Sequence, residues 1–271
     1  MSKRLLANCF RPPARLSGLR AVATQANDSA QTSKLQQLYQ QALSSFGKGQ
    51  QPKGPAEVLA VSEALRAIPL QELGMQTESN AESAPTRGLF GAWPSFQSAK
   101  RDSAITYIHI YEDTNMSIGM FCLPCNATIP LHNHPGMVVL SRVLYGQLHV
   151  KSYDWADVKQ PIGQNGASSA AHLVMDEVVE AGSRPAIIFP TAGGNIHQFT
   201  AVTDCAVLDV LAPPYSPRGG RDCTYYQAIG EEQDGNVRLV RSNPAPPLNM
   251  RNMRYEGVQI QPAITAGQKF T

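Results

Sequence analysis

The sequence lacks several features that mark particular classes of protein. Its 271 residues hold only five cysteines, an odd number spread along the chain, which is not the even set of a disulfide framework. A reducing compartment is therefore expected. No apolar run approaches the roughly 20 residues that a membrane-spanning helix needs. The net charge of +2 is too small to indicate nucleic acid or an acidic membrane as a partner, so neither is expected.

Acidic side chains are missing from the start of the chain. Residues 1–30 carry one lysine and four arginines and no acid before Asp28. Such a composition is typical of mitochondrial or plastid transit peptides, and a disordered basic tail is the alternative interpretation. We expect a cytoplasmic protein, which could also enter the nucleus, with the mitochondrion or a plastid as the alternative location. This segment is excluded from the fold.

The remaining chain divides by its hydrophobic pattern. Apolar residues at helical spacing predict helices over 33–49 and 55–69, within an N-terminal helical segment, 31–75, that packs on the main domain. The main domain, 100–230, contains about nine short segments rich in Val, Ile, Tyr and Phe, each bounded by turn residues, which predicts an all-β sandwich or barrel. The polar, Pro-rich remainder, 231–271, is predicted to be a C-terminal extension.

Two closely spaced histidines offer the clearest chemical signal. His132 and His134 lie in "IPLHNHPG" at the start of a strand-like run. In a strand, residues two apart share one face, so both imidazoles can reach one metal ion. His197, which follows the Gly-rich turn in "FPTAGGNIH", is the best candidate for a third ligand. Because an H-x-H pair also arises by chance, the pair alone does not establish a metal site.

The surroundings of these histidines resemble the two short motifs of the cupin barrel. Gly146 closes the first motif, but Val139 stands where many cupins place a metal-binding glutamate. Pro190, Gly194 and His197 match the second motif approximately. The missing carboxylate excludes the two-histidine, one-carboxylate site of many oxygen-activating enzymes. Three neutral imidazoles holding Fe(II), with room for a thiolate and O2, would remain, and zinc held by three histidines is the competing hypothesis.

Longer stretches resemble one family of thiol dioxygenases. "IPLHNHPGMVVLSRVLYGQLHVKSYDW" is similar to the plant cysteine oxidases, and "YIHIYE" and "LDVLAPPYSPRGGRDCTYY" are similar to the cysteamine (2-aminoethanethiol) dioxygenases. The resemblance covers about 33–75 and 104–229. It implies a mainly β fold, the cupin double-stranded β-helix or jelly-roll barrel, with short N-terminal helices.

The resemblance also implies a reaction and its participants. A non-haem Fe(II) enzyme, expected to be a monomer, would add both atoms of O2 to the N-terminal cysteine of a protein and give cysteine sulfinic acid. That product marks the protein for oxygen-dependent degradation. The alternatives are a cysteamine dioxygenase that makes hypotaurine and a metal-binding cupin without redox turnover. The sequence near the histidines favours the plant branch, whereas residues 208–226 favour the cysteamine branch.

The resemblance assigns roles to seven residues in three groups. The iron ligands fall on His132, His134 and His197; the residues near the substrate on Asp209 and Tyr215; and a Cys–Tyr thioether found in some thiol dioxygenases on Cys223 and Tyr225. A carboxylate in the apolar strand around Asp209 is costly unless it is paired. Its interpretation as a structural carboxylate that accepts hydrogen bonds from backbone N–H groups is therefore also open.

Overall fold

The computed structural model describes five parts of the chain: 32–47, 54–75, 103–157, 168–233 and 235–263. The predicted N-terminal tail, 1–30, lies outside the described residues. Two helices, α1 (Lys34–Phe46) and α2 (Pro55–Arg66), and a 3₁₀ turn (Leu70–Leu73) precede the strands. The strands are β1 (Ile105–Glu112), β2 (Ser117–Leu123), β3 (Thr128–Asn133), β4 (Val138–Tyr145), β5 (Gln147–Trp155), β6 (Ser169–Glu180), β7 (Ala186–Ile188), β8 (Ile196–Ala201), β9 (Cys205–Ala212), β10 (Tyr226–Gln233), β11 (Asn236–Arg241) and β12 (Met250–Met253).

The strands form two six-stranded sheets that pack into a jelly-roll barrel. The first sheet has the order β12-β1-β2-β9-β4-β7, and the second has the order β10-β11-β6-β5-β8-β3. Neighbouring strands are antiparallel except for β1 and β12, which run parallel. This architecture confirms the predicted mainly β, cupin-type double-stranded β-helix with short N-terminal helices.

The two helices begin and end at residues that the sequence makes recognisable. The Ser33 hydroxyl accepts a hydrogen bond from the Gln36 N–H at the start of α1, and Gly47 follows its end. Pro55 occupies the first turn of α2. Both helices are therefore confirmed, with slightly shorter bounds than predicted.

The helices cover the outer face of the first sheet. Their buried side chains share one hydrophobic cluster with residues of β2, β4 and β9. From β4, the Arg142 guanidinium donates hydrogen bonds of 2.9 and 2.7 Å to the carbonyls of Leu65, in the last turn of α2, and Ile68, just beyond it. Because both faces of this sheet are covered, β2 and β9 are buried at every position and read as continuous apolar runs. None of the helices described is long and apolar enough to cross a membrane.

The barrel extends past the predicted boundary at residue 230. Strand β11 pairs with β10 and β6, and β12 pairs in parallel with β1 at the edge of the first sheet. Both strands satisfy backbone groups of sheet edges that would otherwise be unpaired. The composition conceals this role, because the connection between the two strands is rich in proline and β12 has only four residues.

Candidate metal centre

Three histidines converge inside the barrel. His132 lies in β3, His134 follows the end of that strand, and His197 lies in β8. Because β3 and β8 pair antiparallel, His132 and His197 are direct cross-strand partners. Their ring centroids are 4.8 Å apart, and both lie within 5 Å of the His134 ring, at 4.9 and 4.7 Å. The potential ligand atoms all lie within 4.8 Å of one another, a cluster that can hold a metal ion.

Burial keeps these three imidazoles neutral, as metal ligands must be. The exposed fractions of His132, His134 and His197 are 8%, 4% and 2%. Burial lowers the pKa of His132 to about 4 and holds the pKa values of His134 and His197 well below the ordinary value, with a further lowering by the neighbouring rings. Within the described parts of the chain, the group of side chains that could hold a metal ion here consists of these three histidines alone. The donor set therefore fits a divalent cation held by three uncharged nitrogens.

Backbone groups orient two of the rings. The Nδ1 of His132 lies 2.8 Å from the Pro130 carbonyl, and the Nδ1 of His134 lies 3.4 Å from the Asn195 carbonyl. When Nδ1 carries the proton and donates to the carbonyl, Nε2 is the nitrogen left to bind a metal. The third ring, His197, stacks on Phe199 with centroids 4.4 Å apart.

The turn that precedes His197 is held by a buried carboxylate. Asp154, at the end of β5, accepts hydrogen bonds from the backbone N–H groups of Gly194 and Asn195 at 2.8 to 3.0 Å. Gly194 has a φ of +83°, and a Cβ there would lie 2.4 Å from the Ser152 hydroxyl oxygen. A side chain larger than glycine is therefore excluded at this point of the turn.

Asn195 connects this turn to the first pair of histidines. Its side-chain oxygen accepts from the His134 N–H, and its side-chain amide donates to the His134 carbonyl, both at 3.0 Å. The same amide donates to the Phe189 carbonyl at 2.9 Å. Sequence analysis missed both Asn195 and Asp154. Asp154 was visible only as an acid within the β5 strand pattern, and Asn195 only as an asparagine directly after two glycines. Neither pattern indicates the residue to which the side chain hydrogen-bonds.

Replacing Asn195 with alanine is expected to weaken metal binding by about 10- to 100-fold, because the backbone that carries His134 loses two hydrogen bonds. Anaerobic titration of the metal-depleted protein with Fe(II) measures this change. Asn252→Ala, which removes an exposed amide in β12, is the matched control and should leave the affinity unchanged. Equal affinities of wild type and Asn195→Ala would show that the turn does not position the ligands.

A cleft leads to the three histidines. It encloses about 450 Å³, including its open mouth. Its polar lining consists of His132, His134, His197, Asp209, Tyr215 and Cys223. Its apolar lining consists of Phe121, Ile129, Phe199, Leu211, Leu248 and Met250. The structure thus brings the three predicted ligands into one cleft with three of the four other predicted site residues.

Asp209 is a buried carboxyl group that lines the cleft. It lies in β9, opposite Gly119 of β2 and Ser141 of β4. Only 7% of the residue is exposed, and its Oδ1 has no hydrogen-bond partner among the described residues. Burial raises the pKa of Asp209 to about 7, and the Ser141 hydroxyl opposes that rise. An incompletely satisfied carboxyl group facing a cleft is suited to binding a cationic or hydrogen-bonding group of a ligand.

The other three predicted residues, Tyr215, Cys223 and Tyr225, lie close to the histidines or to one another. The Tyr215 hydroxyl donates to the Asn133 carbonyl at 2.9 Å, and its ring centroid lies 5.5 Å from that of His134. The Cys223 thiol lies within hydrogen-bonding reach of this hydroxyl, and burial raises the pKa of the thiol to about 12. Tyr225 packs beside His132, with centroids 6.2 Å apart. The structure therefore places the Tyr215 phenol against Cys223, and the thioether between Cys223 and Tyr225 stays a prediction.

Comparison with known proteins identifies a family and several relatives. The PCO_ADO family model matches residues 64–269. The chain is 46% identical over 196 residues to plant cysteine oxidase 1 and 49% identical over 176 residues to plant cysteine oxidase 2, both of Arabidopsis thaliana. These alignments cover 64% and 59% of this chain, and 66% and 63% of the relatives, so the chain spans just under two thirds of their length.

More distant matches follow. Mouse 2-aminoethanethiol dioxygenase is 37% identical over 142 residues, which is 46% of this chain and 55% of that protein. Among solved structures, an RmlC-like cupin from Shewanella frigidimarina is 14% identical with a TM-score of 0.32, over 44% of this chain and 84% of that one. The fold assignment rests on the strand order described above and not on this similarity.

Proposed function

The chain belongs to the PCO_ADO family, and from that membership we propose that it is a non-haem Fe(II) thiol dioxygenase that oxidises the N-terminal cysteine of a protein to cysteine sulfinic acid. Three buried, uncharged imidazoles at the base of a cleft are the observation that carries the proposal. In the reaction both oxygen atoms of O2 are added to the thiol sulfur. The sulfur loses four electrons and O2 gains them, so no other reductant is needed.

Iron is proposed over zinc because the relatives are named as an oxidase and a dioxygenase. His132, His134 and His197 would hold the ion. Fe(II) bound there would supply open coordination positions and the redox chemistry that O2 requires, which zinc cannot supply. Because the ligands are neutral, the site retains the full charge of the cation, which favours binding of the substrate as thiolate.

The chain's own polar groups position the rest of the substrate. The free carboxylate oxygen of Asp209 is proposed to accept a hydrogen bond from the substrate ammonium group and to fix its orientation towards the histidines. The Tyr215 hydroxyl and the Cys223 thiol are further polar groups that line the cleft. The apolar lining excludes water, which strengthens the ion pair at Asp209 and protects the reacting sulfur.

The protein-substrate assignment rests on the balance of the comparisons. Identity to the two plant cysteine oxidases is 46% and 49%, whereas identity to the mouse 2-aminoethanethiol dioxygenase is 37%. We therefore place this chain with the former and propose that its product marks a protein for oxygen-dependent degradation. Turnover of free cysteamine to hypotaurine is the second candidate, favoured by residues 208–226 alone.

Anaerobically purified, iron-loaded protein is expected to consume O2 when a peptide that begins with cysteine is added. Mass spectrometry should show a product heavier by about 32 Da, the mass of two oxygen atoms added to the thiol. The same peptide with an initial serine is the matched control and should give neither signal. Oxidation of cysteamine but not of the peptide would favour the second candidate. A protein that binds iron but oxidises neither thiol would be a cupin without redox turnover.

A further inference from the structure

One wall of the cleft comes from the chain beyond the predicted end of the barrel. Leu248 precedes β12 and Met250 is its first residue, and both line the cleft that contains the three histidines. They pack against the interior cluster that also includes Phe121, Ile129 and Phe199. The segment that connects β11 to β12 therefore passes from one sheet to the other beside the cleft.

Hydrogen bonds fix this wall in place. The Asn249 carbonyl, between the two apolar residues, accepts from the Ile105 N–H at 2.9 Å. Met250 is the cross-strand partner of Ile105 in the parallel pairing of β1 and β12. The Arg251 guanidinium donates to the Thr106 hydroxyl at 3.1 Å. These contacts fix the backbone around Leu248 and Met250 against β1, so the two side chains have a defined position.

Among the apolar side chains of the cleft, these two stand nearest to solvent. Phe121, Ile129, Phe199 and Leu211 are 4% to 7% exposed, whereas Leu248 and Met250 are half-buried. The first four side chains therefore have little solvent-exposed surface that a ligand could bury. Apolar surface that a ligand can still remove from water therefore lies at the two residues of the C-terminal segment.

Resting on the function proposed above, we propose that Leu248 and Met250 form the subsite for the residue that follows the N-terminal cysteine, and that this subsite prefers an aliphatic side chain. In that function the thiol faces the histidines and the ammonium group faces Asp209. The carbonyl of the cysteine must then continue towards the mouth, where apolar surface is available on this wall. Cysteamine has no carbonyl and does not reach the subsite.

The test compares two peptides that differ only at the second position, Cys-Leu and Cys-Gly, with cysteamine as a third substrate. For the wild type, KM of the Cys-Leu peptide is expected to be about fivefold below that of the Cys-Gly peptide, from one added aliphatic contact. In the variant Leu248→Ala/Met250→Ala the two KM values become equal, whereas a general effect of the substitutions on the cleft would change the KM of both peptides and of cysteamine by the same factor. Met250→Leu keeps the apolar surface and should keep the preference.

Met253→Ala is the matched control, because Met253 lies on the same strand but packs against the cluster under the helices. It should retain the wild-type preference. Equal KM values for the two peptides in the wild type, or a preference that survives in the double variant, overturn the subsite and leave the proposed function intact. Oxidation of neither peptide by the wild type overturns the proposed function and the subsite with it.

Discussion

Replacing His197 with alanine is expected to abolish iron binding and thiol oxidation together. The variant removes one of the three residues of the ligand cluster, so Fe(II) affinity should fall by more than about 100-fold, beyond the loss caused by removing a supporting hydrogen bond. Iron content after anaerobic reconstitution and the rate of O2 consumption with a Cys-initiated peptide measure the two effects. His132→Ala should behave in the same way, because the two histidines are cross-strand partners with equivalent burial.

His149→Ala is the control for this loss. His149 lies on the surface of β5, where its Nε2 is 2.6 Å from an Asp176 carboxylate oxygen, and it has no part in the cluster. Its replacement should leave iron content and turnover at the wild-type level. Full activity in purified His197→Ala or His132→Ala would disprove the ligand assignment.

Replacing Asp209 with asparagine is expected to make the metal-depleted protein more stable at pH 8 while turnover falls. The folded-state pKa of about 7 lies above the ordinary aspartate value of 3.8, so the folded protein favours the protonated carboxyl group. The resulting penalty is absent below about pH 4, grows as the pH rises, and is fully present above pH 7. A shift of about three pKa units corresponds to at most about 4 kcal/mol, which the neutral amide should recover at pH 8.

The loss of function has a separate cause. Asparagine cannot form an ion pair with the substrate ammonium group, and losing one charged hydrogen bond should lower kcat/KM by about 10- to 100-fold. Thermal unfolding at pH 5 and pH 8, together with steady-state kinetics, separates the two effects. Asp176→Asn, on the surface, is the control. It should change neither the stability at pH 8 nor kcat/KM by a comparable amount. Normal kinetics with a lowered Tm would instead indicate that Asp209 is a structural carboxylate.

Local patterns indicated the three histidines as candidate ligands and located both helices, and the family resemblance then assigned the histidines to the metal. The alternation of side chains along a strand placed His132 and His134 on one side, and the Gly-rich turn indicated where His197 enters β8. The antiparallel pairing of β3 and β8 then places His197 directly opposite His132. Helix α1 could be predicted for a similar reason, since its apolar stripe and its Ser33 cap are both local features.

Contacts between distant parts of the chain could not be predicted. Asn195 acts on His134 across 61 residues, and nothing in the composition of either segment indicates the pairing. Tyr215 contacts Cys223 because of the path of the loop after β9, which no local pattern in the sequence indicates. Met250 enters the cleft through a four-residue parallel strand that follows a Pro-rich connection. In each case tertiary packing, and not local preference, determines the neighbour.

X-ray absorption at the iron edge of the ferrous protein, with and without an anaerobically added Cys-initiated peptide, tests the central claim most directly. The claim is that three neutral histidines hold one iron ion and leave positions open to the thiol. It predicts a spectrum with three imidazole ligands and oxygen ligands from water, in which a sulfur neighbour appears when the peptide is added. Fewer than three imidazoles, or no sulfur neighbour at saturating peptide, would contradict it.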